Sequence, residues 1–212
     1  MGRDDFVKGD CNRDSLAAVV AWPDWPQVPT LLVGPEGSGK SHLVGIWSAL
    51  SGATIVQAVN LTEADCSPGA PRGPIAVEDV ERAPEKALFH LLNRAREYDA
   101  PVLLTTRDER IVETIGLADL GSRLRAARPL RIMRPDDVFL LKVLAKLFSD
   151  RQLPISPQLL EYLVRRMERT YAAAAELVSR MDEMALSKGM ALSRQLAAAA
   201  LLQFEQHRAG MR

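Results

Sequence analysis

The chain has 212 residues, 47% of them hydrophobic and 25% charged, and this composition excludes a disordered chain, a collagen-like repeat and a coiled-coil rod. Its 27 basic and 27 acidic residues give a formal net charge of zero, so the charge balance does not indicate binding to nucleic acid or a membrane by attraction. No apolar run approaches the ~20 residues that a membrane helix needs, and the charged N-terminal residues are unlike a signal peptide.

The first part of the sequence alternates short apolar runs with helical stretches. Residues 30–33 form an apolar run that ends at Gly34, a pattern typical of a buried parallel strand. Further strands are predicted at residues 53–56, 75–77, 101–106 and 130–132, helices at 41–50 and 85–98, and a loop at 60–73. The alternation predicts an α/β fold with a five-stranded parallel sheet and helices on both faces.

After Pro135 the pattern changes to helices alone. Four helices are predicted, at residues 136–149, 157–166, 170–187 and 193–207. Asp136 is expected to cap the first of them, and Pro154 and Pro157 mark the break before the second. We therefore predict a boundary near Arg134, with an α/β base over residues 1–134 and a small all-helical lid over residues 135–212.

One glycine-rich segment between the first strand and its helix matches G-x-x-x-x-G-K-[ST] at every position. The segment consists of Gly34, Pro35, Glu36, Gly37, Ser38, Gly39, Lys40 and Ser41. Glycines let backbone N–H groups curl around a polyphosphate, and the helix N-terminus attracts its negative charge. Lys40 is expected to contact the β- and γ-phosphates and the Ser41 hydroxyl to bind Mg²⁺. A glycine-rich turn that binds nothing is the alternative, which the complete match disfavours.

Two further strand ends carry polar residues that suit phosphate chemistry. Glu78 and Asp79 follow the third strand, and we expect Glu78 to hold hydrated Mg²⁺ while the second acid orients a water molecule. Thr106 ends the fourth strand, where a polar group can sense a γ-phosphate. The alternatives are a solvated turn for the acids and a capped strand end for the threonine.

A cluster of arginines precedes the helical part of the chain. It consists of Arg123, Arg125, Arg128, Arg131 and Arg134. The cluster is either a basic binding stripe or a solvated edge, and the spacing alone favours the solvated edge. No aromatic residues lie between the arginines, which argues against stacking of single-stranded nucleic acid.

Together these features resemble the AAA+ ATPases, and more narrowly the branch that contains the bacterial replication initiator DnaA and its shorter relative Hda. The resemblance covers nearly the whole chain. It rests on the sequences DFVKGDCN at residues 5–12, GKSHL at 39–43, LLTT at 103–106 and DLGSRL at 119–124. It implies an adenine nucleotide, ADP or ATP, bound with Mg²⁺.

The resemblance also implies roles for residues outside the glycine-rich segment. Phe6, Val7 and Asn12 would lie near the adenine, and His42 is typical of this branch. Arg123 would be the arginine finger offered to the nucleotide of a neighbouring subunit, which makes it catalytic in trans. A second arginine, Arg169, would reach the bound phosphates from the lid.

Within this branch, two features make the resemblance closest to the Hda type. The chain ends at Arg212, which is expected to leave no room for the C-terminal duplex-binding domain of the initiator, and residues 42–73 are too few for its helical insertion. Hda proteins join the DNA-loaded sliding clamp and promote ATP hydrolysis by DnaA. The implied partners are therefore DnaA and the clamp, with a possible homodimer, and no specific duplex binding by the chain itself.

The sequence also departs from the family pattern. The acid pair is Glu78-Asp79 where the family usually has Asp first, and Arg107 stands where the initiator tends to carry an acid. No clamp-binding Gln-Leu peptide precedes Phe6, and the similar Gln152-Leu153 is interpreted as a packed loop. The acid pair predicts weak intrinsic ATPase activity at most, and Arg107 argues against Thr106 as a γ-phosphate sensor. The resemblance to Hda implies that the chain acts mainly as an activator of its partner's ATPase.

Two other functions stay open at this stage. One is an autonomous ATPase that acts on nucleic acid, such as a helicase loader or divergent initiator, and the other is a degenerate nucleotide-binding scaffold. The neutral charge argues against the first. Cys11 and Cys66 lack metal-site spacing, and a disulfide scaffold is not expected, so the default location is the reducing bacterial cytoplasm, with no membrane association.

Overall fold

The computed structural model describes residues 6–62, 64 and 72–209. Asp5 and Cys66, and most of the predicted loop between residues 63 and 71, lie outside the described residues. None of the helices in these described ranges is long and apolar enough to cross a membrane.

The base is built on five parallel strands in the order β2-β3-β4-β1-β5. The strands are β1 at Thr30–Val33, β2 at Thr54–Gln57, β3 at Ile75–Glu78, β4 at Val102–Thr106 and β5 at Arg128–Arg131. Strand β4, at the centre of the sheet, is buried along its whole length, as a parallel strand covered on both faces should be. The predicted five-stranded parallel sheet is confirmed.

Five helices cover the two faces of this sheet. They are α1 at Arg13–Val20, α2 at Lys40–Ser51, α3 at Glu85–Glu97, α4 at Ile111–Thr114 and α5 at Ala118–Ala126. Successive strand residues point to opposite faces, so Leu32 packs with α1 and α2 while Leu31 packs with α3 and α5. Sequence analysis missed α1, α4 and α5, which have 8, 4 and 9 residues, because helices of so few turns give only a weak periodic signal.

The C-terminal part of the chain folds into four helices around its own core. They are α6 at Asp137–Asp150, α7 at Pro157–Val164, α8 at Tyr171–Lys188 and α9 at Arg194–Ala209. Each begins after a side chain that accepts a hydrogen bond from the third helical N–H, the expected capping geometry. The capping residues are Asp136, Ser156, Thr170 and Ser193. The predicted cap at Asp136 is thereby confirmed.

The described residues form two compact units, which are not contiguous in sequence. The α/β unit contains Phe6 and residues 12–35 and 39–133, and the helical unit contains residues 7–11, 36–38 and 134–209. Two short segments from the first part of the sequence therefore belong to the helical unit. In the first of them, Val7 and Cys11 pack against the core of helices α6 to α9.

Candidate nucleotide-binding site

The glycine-rich segment forms the connection between β1 and α2. Gly37 and Gly39 have φ angles of 67° and 95°, in the left-handed region that favours glycine. Lys40, the first residue of α2, is buried, and its Nζ donates hydrogen bonds to the carbonyl oxygens of Gly34 and Pro35 at 2.7 and 3.1 Å. The lysine thus holds the loop curled with its positive charge at a helix N-terminus, where anions are favoured.

Gly37 also marks a close approach of two backbone segments within the helical unit. A Cβ atom placed on Gly37 would lie 2.3 Å from the Cβ of Ala172, in the first turn of α8. Backbone conformation and space both require glycine at this position. The tip of the loop, residues 36–38, is therefore shaped by its packing as well as by its sequence motif.

We predict that Gly37→Ala destabilises the protein by about 1–3 kcal/mol, from left-handed strain and overpacking. Chemical denaturation measures this change in the free energy of unfolding. Gly45→Ala is the matched control, because Gly45 lies inside α2 and the added Cβ would have no atom from outside its own helix within 4 Å. It should leave stability unchanged or increase it by up to roughly 1 kcal/mol, since alanine is the better helix former. Equal stability of the two variants would contradict this account of the loop.

Glu78 ends β3 with its carboxylate buried. Its Oε2 accepts a hydrogen bond of 2.6 Å from Nε2 of Gln57, its register partner at the end of β2. Its Oε1 is buried and has no hydrogen-bond partner among the described residues. A buried carboxylate oxygen that accepts no hydrogen bond is suited to bind a cation, because leaving such an oxygen unsatisfied is unfavourable. Sequence analysis missed Gln57, which only strand pairing brings beside Glu78.

Asp79 differs sharply from its neighbour in conformation. Its φ of 56° is left-handed, and its N–H donates a hydrogen bond of 3.0 Å to Oγ1 of Thr105. The two acids therefore differ in backbone conformation, because Glu78 is the last residue of β3 and Asp79 lies in the turn that follows it. Thr105 is a second supporting residue that sequence analysis did not identify.

The hydroxyl of Thr106 caps the end of β4. Its Oγ1 donates to the carbonyl oxygen of Asp108 at 3.1 Å, and its own carbonyl oxygen accepts from the N–H of Gly34 at 3.1 Å. The alternative interpretation of Thr106 as a capped strand end thus describes its hydroxyl in this structure. Beside it, hydrogen bonds from the Arg110 side chain and backbone lower the pKa of Asp108.

The strand order brings these polar groups to one edge of the sheet. The phosphate loop follows β1, Thr106 ends β4 and Glu78 ends β3, and these three strands are neighbours. Strands lie about 4.8 Å apart, so the ends of β1 and β3 are separated by roughly 10 Å. Ala76 packs with the α2 side of the sheet, and alternation places Glu78 on that same face. The gap suits a phosphate group with a hydrated Mg²⁺ ion.

The residues expected near the adenine are divided between the two units. Phe6 is buried in the α/β unit, where its ring meets that of His42 edge-on at 5.0 Å, and a Cβ on Gly39 would lie 3.5 Å from it. Asn12 is also buried in this unit, directly before α1. Val7 instead packs in the helical unit. Phe6 and His42 are therefore brought together beside the loop.

Arg169 is engaged by a carboxylate within the helical unit. Its Nε and Nη2 donate to the two oxygens of Asp137 at 2.9 and 3.1 Å, which joins the segment before α8 to the start of α6. Both side chains are at least half exposed, so water competes for this pair.

Arg123 lies on α5 and is held against α3. Its Nη2 donates a hydrogen bond to Oδ1 of Asn93, and its guanidinium carbon lies 5.3 Å from the centre of the Phe89 ring. Helices α3 and α5 pack on the sheet face opposite to α2. Arg123 therefore lies on a helix that covers the sheet face opposite to α2, the helix that begins at Lys40.

The remaining arginines of the cluster are all exposed. Arg128 and Arg131 lie on β5, the edge strand, and Arg131 pairs with Glu109 at 2.6 Å in an exposed ion pair. Arg125 and Arg134 are exposed on α5 and after β5. Charged residues on an edge strand discourage pairing with other strands. This arrangement agrees with the solvated-edge interpretation for the residues after Arg123.

Comparison with known proteins identifies the fold. No protein-family model matches the sequence, and no curated protein matches it. Among solved structures, domain III of the Thermotoga maritima replication initiation protein DnaA superposes with a TM-score of 0.79 at 15% identity, with 95% of each chain covered. AMPPCP-bound DnaA from Aquifex aeolicus has a TM-score of 0.70 at 14% identity, covering 97% of this chain and 68% of that one.

A second group of similar structures belongs to a protein with a different activity. The Thermotoga maritima RuvB Holliday junction branch migration motor has a TM-score of 0.71 at 18% identity, covering 94% of this chain and 70% of that one. Identities this low establish the fold alone. The chain therefore has the AAA+ fold shared by DnaA domain III and RuvB.

Proposed function

We propose that residues 34–41 bind an adenine nucleotide, ADP or ATP, together with Mg²⁺. The observation that carries this proposal is the buried Lys40 ammonium at the N-terminus of α2. The orphaned oxygen of Glu78 on the same face of the sheet supports it. An ammonium and a row of N–H groups neutralise phosphate charge, and a carboxylate oxygen suits the accompanying cation. The AMPPCP bound to Aquifex aeolicus DnaA, a protein of the same fold, agrees with an adenine nucleotide.

The residues present also fit Mg²⁺, which takes oxygen ligands and keeps several water molecules. The Ser41 hydroxyl would hold the ion directly, and Glu78 would hold it through its unpaired Oε1. When bound, the ion supplies positive charge to the β- and γ-phosphate oxygens. Gln57 keeps the carboxylate of Glu78 in place, and Asp79 would orient a water molecule.

We expect Mg²⁺ to increase the affinity of the wild-type protein for nucleotide. In Glu78→Gln this increase should be smaller by roughly 10–100-fold, because an amide is a poorer partner for hydrated Mg²⁺. Affinity for the nucleotide without Mg²⁺ should be unchanged, since the phosphate loop is intact. Calorimetric titrations with and without Mg²⁺ measure both quantities. Glu81→Gln serves as the control, because Glu81 contacts Arg107 instead of the sheet edge. An unaltered Mg²⁺ effect in Glu78→Gln would remove Glu78 from the metal site.

Beyond nucleotide binding, we propose that the chain is an Hda-like regulator that promotes ATP hydrolysis by DnaA together with the DNA-loaded sliding clamp. Two observations support this role. The chain matches DnaA domain III over 95% of both chains, and Arg123 of the sequence DLGSRL at 119–124 lies on α5, which covers the sheet face opposite to α2. An arginine in that position is suited to a neighbouring subunit's nucleotide.

A hydrolysis assay of ATP-loaded DnaA tests this role, with this protein, the clamp and DNA each omitted in turn. Stimulation that requires both this protein and the clamp is the expected result. The competing function, an autonomous ATPase that acts on nucleic acid, is favoured by the similarity in fold to a branch migration motor. ATPase activity of this chain alone, increased by single-stranded DNA, would support that competing function and contradict the regulatory one.

A further inference from the structure

A cleft of about 380 Å³ lies in the helical unit between α7 and the start of α9. Its charged lining consists of Arg165, Arg166, Arg194 and Glu161, with the ring of Tyr162 beside them. Three arginines and one glutamate leave a net charge of +2. The cleft shares no residue with the phosphate loop at 34–41, and the proposed nucleotide function does not use it.

Two of the arginines converge on a single aromatic ring. The guanidinium carbon of Arg166 lies 4.1 Å from the centre of the Tyr162 ring, and that of Arg194 lies 4.7 Å from the same centre. Within the part of the chain that the structure describes, neither arginine has a carboxylate partner. Glu161, the acid of the cleft, is 3.8 Å from Arg165. Tyr162 therefore positions two cations whose charge no acidic group of the cleft neutralises.

The two unneutralised cations repel each other. Because both contact one ring, their separation is within the Debye length of about 10 Å at 0.1 M salt, so screening is incomplete. Arg194 is also the first residue of α9, and no acidic residue occupies the first turn of this helix. A cation at a helix N-terminus opposes the helix dipole. A bound anion would offset both unfavourable terms.

We propose that this cleft binds the phosphate group of a small phosphorylated ligand. Guanidinium groups bind phosphate through paired N–H···O bonds, and a phosphate monoester carries the charge of nearly −2 that balances the lining. The volume accommodates a group of this size. A long nucleic acid is disfavoured, because the basic lining is confined to three arginines in a chain with no net charge.

Calorimetric titration with inorganic pyrophosphate tests the cleft in the Lys40→Ala variant, which lacks the lysine of the phosphate loop. This background separates the cleft from the proposed nucleotide site, so either proposal can fail alone. We expect the Lys40→Ala protein to bind pyrophosphate, and the added changes Arg166→Ala and Arg194→Ala to weaken binding at least about 10-fold through lost charge-assisted contacts. Adding Arg180→Ala instead should have no effect, because Arg180 already pairs with Glu176.

A second variant separates loss of the site from loss of the fold. Arg166→Lys with Arg194→Lys keeps both charges but removes the planar forks, so it should retain part of the affinity and melt at the same temperature as Lys40→Ala. Displacement of pyrophosphate by AMP would identify a nucleotide as the source of the phosphate, and displacement by inorganic phosphate but not by AMP would identify free phosphate. Absence of pyrophosphate binding at ~10 mM, or binding indifferent to the arginine changes, would overturn the proposal. Tighter, arginine-dependent binding of an oligothymidylate of about 12 nucleotides would overturn it too.

Discussion

Lys40→Ala is expected to weaken binding of ATP and ADP by about 10- to 150-fold, the loss that accompanies removal of one hydrogen bond to a charged group, roughly 1.5–3 kcal/mol. The side chain is buried at the start of α2, so its attraction for a phosphate is screened far less than that of a surface lysine. Isothermal titration calorimetry with each nucleotide measures the change.

Loss of Lys40 also removes its hydrogen bonds to the carbonyl oxygens of Gly34 and Pro35, so the loop itself could open. Lys40→Met addresses this point, because it keeps the apolar stem of the side chain while removing the charge. Lys146→Ala is the surface control, since that lysine pairs with Asp150 on α6. Equal nucleotide affinity in wild type and Lys40→Ala would refute the assignment of residues 34–41.

Arg123→Ala is expected to abolish stimulation of ATP hydrolysis by DnaA while leaving nucleotide binding by this chain unchanged. Hydrolysis of a triphosphate needs positive charge where negative charge develops, and an arginine supplied by a second subunit contributes about 10³–10⁵ in rate. Arg123 lies on α5, on the sheet face opposite to α2, which predicts the lack of effect on this chain's own ligand. The measurement is the rate of phosphate release by ATP-loaded DnaA in the presence of clamp and DNA.

The contacts of Arg123 provide the controls for this experiment. Arg125→Ala changes an exposed arginine on the same helix and should stimulate DnaA normally. Arg123→Ala also loses its bond to Asn93 and its stacking on Phe89, so its melting temperature must be compared with that of wild type. Arg169→Ala should give the opposite result, with reduced nucleotide affinity in this chain. If Arg123→Ala stimulated DnaA normally, the assignment of Arg123 as an arginine finger would be wrong, and the interpretation of its segment as a solvated edge would hold.

Features that depend on consecutive residues were predictable from the sequence. The phosphate-loop motif occupies eight adjacent residues, and the apolar runs that became β1, β3 and β4 are visible without knowledge of their neighbours. The cap at Asp136 is equally local, since its side chain accepts from the N–H of Phe139, three residues away. Short-range backbone chemistry and hydrophobic periodicity therefore predicted the fold class, and the match to solved AAA+ structures confirms it.

Partners of the candidate site residues were decided by the tertiary structure alone. Gln57 reaches Glu78 because β2 pairs in register with β3, and Arg123 meets Asn93 because α3 and α5 pack on one face of the sheet. The chain segments that supply each pair are 21 and 30 residues apart. No local spacing rule specifies such contacts, because strand order, register and helix packing arise from burial of the whole core. The sequence by itself thus determined that the loop at residues 34–41 is suited to bind phosphate. The packing of the core decided which side chains contact Glu78 and Arg123.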